Sequence, residues 1–247
     1  MSYEIRAMDF GEILDTGFRL LRNHFGLLLA IGLPETLPAN FVTYALNASP
    51  GAAAVVGARG AGLLMIVVGP LASAATIYAL SESYLGRGTT FGEAISEAFG
   101  ILLPLLGTAL LTTIAIVVGF VLLIVPGIYL AFAFLLVYQV VVIERRYAVD
   151  AMSRSRELMR GHFLRAFGIL IVVGLLSIVL SAAGGFVAIA SPLVGVVVNS
   201  VVQAIYTAFN AAVLLVLYFD IRCRKEAFDL EHLASSVAGH AVAGRPI

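Results

Sequence analysis

The sequence predicts an all-α integral membrane protein with about six transmembrane helices in three hairpins, each hairpin preceded by a cytoplasmic amphipathic interfacial helix. Three observations carry this prediction. The 247-residue chain is 61% hydrophobic and 12% charged, with a mean hydropathy of +1.03, whereas a soluble domain carries about 25% charged residues. The apolar residues gather into runs long enough for a bilayer, which needs roughly 20 residues per helix. The charges gather between those runs, so the formal net charge of +0 reflects segregation along the chain and not absence.

The opening MSYEIRAMDF alternates charged and apolar residues. It lacks the continuous apolar core of about 7 to 15 residues that a cleavable signal peptide requires, so insertion is expected to use internal spans. Asp9-Phe10-Gly11-Glu12 starts the first helix, with Asp9 as N-cap and Glu12 as its capping-box partner. Phe10, Ile13, Leu14, Gly17, Phe18 and Leu21 form one stripe opposite Asp15, Arg19 and Arg22, which suits a helix lying along the interface. The first span, residues 25–46, contains Pro34 and Pro38. Each removes a backbone donor, so a kink is expected there.

Residues 47–62, rich in Gly and Ala, read as a flexible linker before the second span at 62–80. Thr90-Phe91-Gly92-Glu93 then repeats the opening of the first helix. Span three (101–125) and span four (128–143) are separated by Val125-Pro126-Gly127, read as a turn. Span five (167–190) and span six (193–219) are separated by Ser191-Pro192. Residues 1–233 are expected to form a single polytopic domain and 234–247 a flexible tail. The three helix starts near Asp9, Thr90 and Tyr147 suggest an internal repeat over 9–80, 90–143 and 147–219, although the third copy has Ala148-Val149-Asp150 where the others have Phe-Gly-Glu.

Lys and Arg near membrane spans are retained on the cytoplasmic side. All but Arg59 of the 15 Lys and Arg fall in segments assigned to that side, so both termini are expected to be cytoplasmic. The densest of these segments runs from Glu144 to Arg165 and carries Arg145, Arg146, Arg154, Arg156, Arg160 and Arg165. Three roles are open to it: setting topology, binding anionic lipid head groups, or docking a protein partner. Its interspersed apolar residues, among them Met152, Leu158 and Phe163, suit a membrane interface better than a nucleic acid, and no nucleic-acid partner is expected.

Glu35 is the one carboxylate well inside a span. An acid in that setting is costly enough to suggest function, and here it lies between two prolines. The alternative is that span one breaks at this point and Glu35 faces water. Span six carries Asn199, Gln203, Tyr206 and Asn210 at helical spacing, a polar face expected to point into the bundle and to line a pathway or bond to neighbouring helices. Gln139 on span four is a candidate partner. The single cysteine, Cys223, excludes an intramolecular disulfide, and the four histidines are scattered without metal-ligand spacing. With no nucleotide loop, serine elbow or zinc-helix motif in the sequence, no catalytic residue, metal or cofactor is expected.

Four stretches resemble the membrane domain associated with bacterial glycerophosphodiester phosphodiesterases, and related stand-alone integral membrane proteins. They are LDTGFRLLRNHFG near the start, VPGIYL at 125–130, SRSRELMRGHF at 153–163 and YFDIRCRKEAFDLE at 218–231. The resemblance implies a shared architecture. In the fused relatives a soluble catalytic domain follows this region, so phosphodiesterase activity is not expected of this chain. The reading that follows is a non-enzymatic scaffold or accessory protein of the bacterial inner membrane, binding lipids, a partner or a second copy of itself through its basic helices. The alternative is a small transporter or channel for a solute, an ion or a lipid, with Glu35 and the polar face of span six in its pathway.

Overall fold

The computed structural model describes residues 6–48 and 52–226, and within them the chain is all-helical, 89% helix with no strand. The expected tail at 234–247 lies outside the described residues. Ten α-helices follow in order: α1 (Phe10–Asn23), α2 (Phe25–Ala48), α3 (Ala52–Tyr84), α4 (Phe91–Gly100), α5 (Leu102–Leu122), α6 (Ile124–Ala133), α7 (Val137–Gln139), α8 (Ala148–Met159), α9 (Phe163–Ala190) and α10 (Pro192–Glu226). A π-helical turn, Val140–Glu144, continues α7. Six stretches are long and apolar enough to cross a membrane: Phe25–Ala48, Met65–Tyr84, Leu102–Leu122, Ile124–Glu144, Phe163–Ala190 and Pro192–Glu226. Their outer faces are apolar. Leu103, Val121, Leu164 and Ile189 are each at least 80% exposed, as suits side chains solvated by lipid.

The short helices start where local chemistry directs. The Glu12 carboxylate accepts the Asp9 backbone N–H at 2.7 Å. The Glu93 carboxylate accepts that of Thr90 at 2.8 Å, while the Thr90 hydroxyl accepts the Glu93 N–H at 3.3 Å. On α1 the apolar stripe divides in two. Ile13, Thr16, Gly17, Leu20 and Leu21 are buried, whereas Phe10 and Phe18 remain 39% and 53% exposed. The buried side packs on α10, where a Cβ at Gly17 would stand 2.7 Å from the Val213 Cγ2, so only glycine permits this approach.

Neither proline interrupts α2. The helix is tied to α10 by a reciprocal pair of bonds: the Thr36 hydroxyl donates to the Ser200 carbonyl at 2.9 Å, and the Ser200 hydroxyl to the Thr36 carbonyl at 3.3 Å. Neighbouring helices and hydroxyl side chains commonly offset proline in this way within membranes. The sequence expectation of a break is corrected accordingly. The flexible linker also needs correction, because α3 is already helical from Ala52, as an alanine-rich stretch favours.

Between α5 and α6 the chain turns at Leu123 (φ −162°, ψ 150°), earlier than Val125-Pro126-Gly127. Pro126 sits instead in the first turn of α6, where its missing N–H is not needed. Gly127 serves packing, since a Cβ there would lie 2.4 Å from the Phe120 ring. The division at Ser191-Pro192 is as expected, with Ser191 capping α9 and Pro192 the first residue of α10. There too the helices touch closely, a Cβ at Gly195 falling 2.5 Å from the Ala188 Cα.

Span four is not continuous. Its helix stops at Ala133 and resumes at Val137, a break inside an apolar stretch. Ser155 of α8 bridges the break: its hydroxyl donates to the Ala133 carbonyl at 2.9 Å and accepts the Leu136 N–H at 3.2 Å. Ser155 is fully buried together with Ala151, Leu158 and Met159, so α8 is packed into the bundle along one whole side. The core centres on α10, whose residues 212–221 are buried without interruption except for small exposures below 10%.

Candidate functional site: a polar cavity inside the bundle

Glu35, Gln139 and Asn210, far apart in sequence, line one half-open cavity of about 230 Å³ between α2, α3, α7 and α10. Its polar wall also includes Ser73, Thr76, Tyr138 and Thr207, and its apolar floor includes Leu28, Ile77 and Leu214. Glu35 lies roughly 15 Å along α2 from Phe25, at the 1.5 Å rise of an α-helix, so the cavity opens near mid-span. Gly69 of α3 makes room for the acid, since a Cβ there would be 3.3 Å from the Glu35 Oε1.

Two groups in this cavity lack partners. Among the described residues no side chain or backbone group bonds the Glu35 carboxylate. Gln139 is 2% exposed, and its Oε1 is buried without a hydrogen bond. Buried polar groups in native structures are nearly always paired with protein, water or ligand. The cavity is mainly apolar with a few convergent polar groups, and large enough for several waters or one small solute, a water occupying about 30 Å³ in the liquid.

The rest of the polar face of α10 is distributed and does not point wholly inward. Asn199 lines a second cavity of about 490 Å³ with Asn40, Thr43, Tyr44 and Asn47. Gln203 is exposed, contrary to expectation, and accepts a hydrogen bond from the Asn40 Nδ2 at 3.0 Å. Tyr206 is half-buried against the core. The two cavities lie along the same α2–α10 seam, with the Thr36–Ser200 and Asn40–Gln203 pairs between them.

The six arginines have separate fates. Arg154 is 11% exposed and pairs with Glu144 at 2.9 Å and Glu226 at 2.5 Å; Tyr218 also donates to Glu144, at 2.8 Å. Burial opposes the Arg154 charge, but these carboxylates outweigh it and hold the guanidinium above its ordinary pKa. Arg165 pairs with Asp220 at 3.2 Å and donates to the Met8 carbonyl. Arg145 pairs with Glu97 at 2.5 Å and Arg146 with Glu144 at 3.3 Å. Arg156 and Arg160 are exposed and make no ion pair among the described residues.

Sequence reasoning passed over Asp220, which is 1% exposed. It accepts the Met8 N–H at 2.7 Å and pairs with the Arg224 Nε at 3.1 Å. An acid followed four residues later by Arg was the available signal. It also passed over Ser73 and Thr76, whose spacing of three places both on one helical face.

A family model described as a domain of unknown function, DUF7847, matches residues 79–221, from the end of α3 to the buried stretch of α10. No curated protein and no solved structure matches the chain, so the likeness to the phosphodiesterase-associated domains rests on the quoted motifs alone.

Proposed function

We propose that this chain, which belongs to the DUF7847 family, carries a small polar solute across the membrane, with Glu35 in the binding cavity. One observation carries the reading: a mid-span cavity of about 230 Å³ lined by Glu35 and Gln139, where, among the described residues, nothing bonds the Glu35 carboxylate or the Gln139 Oε1. An ionisable group at that depth is expensive and is by default a mark of function. Glu35 supplies the charge, Gln139, Asn210 and Thr76 supply hydrogen bonds, and the cavity at Asn199 provides a second polar compartment on the same seam. Since Thr36 and Ser200 bond across that seam, passage calls for helix movement, which favours a carrier over an open channel.

We take the surrounding membrane to be the bacterial inner membrane. The helices α1, α4 and α8, N-capped at Asp9, Thr90 and Tyr147, are read as amphipathic helices at its cytoplasmic face. Each would open one helical pair of a repeated unit. A periplasm-active reporter fused to the C-terminus should stay silent; activity there would invert the topology.

The transport test is uptake by proteoliposomes. Radiolabelled sodium, rubidium, methylammonium, alanine, glycerol and phosphate should include at least one species taken up above protein-free vesicles, and Glu35→Gln should abolish that uptake. Uptake unchanged by Glu35→Gln, or none for the whole panel, rejects the reading.

A second reading, a membrane scaffold that gathers anionic lipids, is supported by exposed Arg156 and Arg160, each worth about 1 kcal/mol near an anionic surface. The purified chain should then retain phosphatidylglycerol over phosphatidylcholine, and reversing both charges should remove the preference. A preference that survives the reversal eliminates this role.

A further inference from the structure

Building on the carrier reading, we propose that the cavity at Glu35 binds one monovalent cation, either an inorganic ion or a small protonated amine. The argument begins with charge. Among the described residues lining the cavity, Glu35 is the only charged one. Glu35 is half-buried, and a carboxylate drawn out of water is costly unless it takes up a proton or a positive charge meets it. One positive charge balances it, a divalent cation leaves an excess of one, and an anion adds repulsion.

The remaining ligating atoms agree with this count. The Gln139 Oε1, buried without a hydrogen bond, can turn toward a cation. The side chains of Thr76, Thr207 and Asn210 add neutral oxygens, and the Tyr138 ring adds an aromatic wall of the kind that attracts ammonium groups. A calcium site requires 6–8 oxygen ligands, usually with several carboxylates. Among the described residues no group of three or more His, Cys, Asp or Glu could hold a metal ion. A cavity of about 230 Å³ is smaller than the sites that take drug-sized ligands, and suits an ion with a few waters or a compact amine.

The arginines also bear on selection. Arg154 and Arg165 are drawn into ion pairs with Glu144, Glu226 and Asp220 at the charged end of the bundle, so neither is available to neutralise Glu35. The acid is left for a mobile partner.

The test is equilibrium binding of radiolabelled sodium and of radiolabelled methylammonium to the full chain in detergent, with calcium, choline and phosphate as competitors at matched ionic strength. At least one of the two probes should bind saturably with one site per chain, and calcium should not displace it in preference to monovalent ions. Glu35→Gln should weaken binding at least about tenfold, the loss expected for one contact to a charged group. Glu35→Asp should keep part of it. Gln139→Leu, which leaves the carboxylate in place, should weaken binding severalfold while the variant still elutes as a single folded species.

Binding of neither probe above the Glu35→Gln background, or a preference for calcium, overturns the assignment. The two proposals fail separately. If Glu35-dependent uptake is found for a neutral, anionic or divalent solute, the cation assignment falls and the carrier stands. If neither binding nor uptake responds to Glu35→Gln, both fall.

Discussion

Asp220→Asn is the sharpest probe of the charged end of the bundle. The Asp220 carboxylate is 1% exposed, accepts the Met8 N–H at 2.7 Å and pairs with Arg224 at 3.1 Å and Arg165 at 3.2 Å. The amide keeps the shape and one acceptor for Met8, but it removes the charge that two guanidinium groups share. Breaking a buried pair from one side costs about 3–5 kcal/mol, because the abandoned charge stays buried. Here the lower end applies. Arg165 and Arg224 keep 21% and 34% side-chain exposure, and both still donate to the Met8 carbonyl. The expected loss is about 3 kcal/mol, read from reversible denaturant unfolding of the full chain in mixed micelles. Neutralising Arg224 in the same chain should recover part of it, as a double-mutant cycle would show. A loss below about 1 kcal/mol would mean that the cluster behaves as a solvated surface network, and the argument from burial would be wrong.

Ser155→Ala strips the break in span four of its brace, leaving the Ala133 carbonyl and the Leu136 N–H unmatched. It should cost about 2 kcal/mol in the same assay, and a neutral result would show that water replaces the hydroxyl. Glu93 answers to acid. The Thr90 backbone N–H, then the Thr90 hydroxyl, hold its carboxyl below the ordinary value of 4.5. A depressed acid contributes stability that is present above its unfolded value and lost as pH falls through the folded one. Protection of the Thr90 amide against hydrogen exchange should therefore drop as pH falls below about 4.5, and the drop should vanish in Glu93→Gln. An identical acid limb in the variant would refute the capping role.

Six spans and the starts of the short helices were legible in the sequence, because apolar length and capping chemistry are local properties. Asp9 and Thr90 could be named as caps from four residues each. Glu35 stood out as a lone acid among apolar neighbours, and Gln139 and Asn210 as polar residues out of place. What could not be read was association over distance. Nothing local shows that Gln139 lacks a partner, that Gln203 faces outward to meet Asn40, or that Arg154 and Arg165 turn inward to Glu144 and Asp220. Pro34 and Pro38 misled for the same reason: a proline breaks an isolated helix, but α10 supplies the support that keeps α2 whole. Val125-Pro126-Gly127 misled because proline and glycine mark turns and also serve helix starts and close contacts.

The break between Ala133 and Val137 has a mechanical consequence. A continuous helix would fix the azimuth of Gln139 through its own ladder of hydrogen bonds, from Ile124 downward. Here that ladder is interrupted, and the lower segment is pinned through Ser155 to α8, a helix outside the membrane spans. The wall of the cavity that carries Tyr138 and Gln139 thus takes part of its bearing from α8, through the Ser155 hydroxyl that also holds the end of α6. A displacement of α8 would therefore reach the end of α6 and the start of the segment carrying Tyr138 and Gln139 through one hydroxyl.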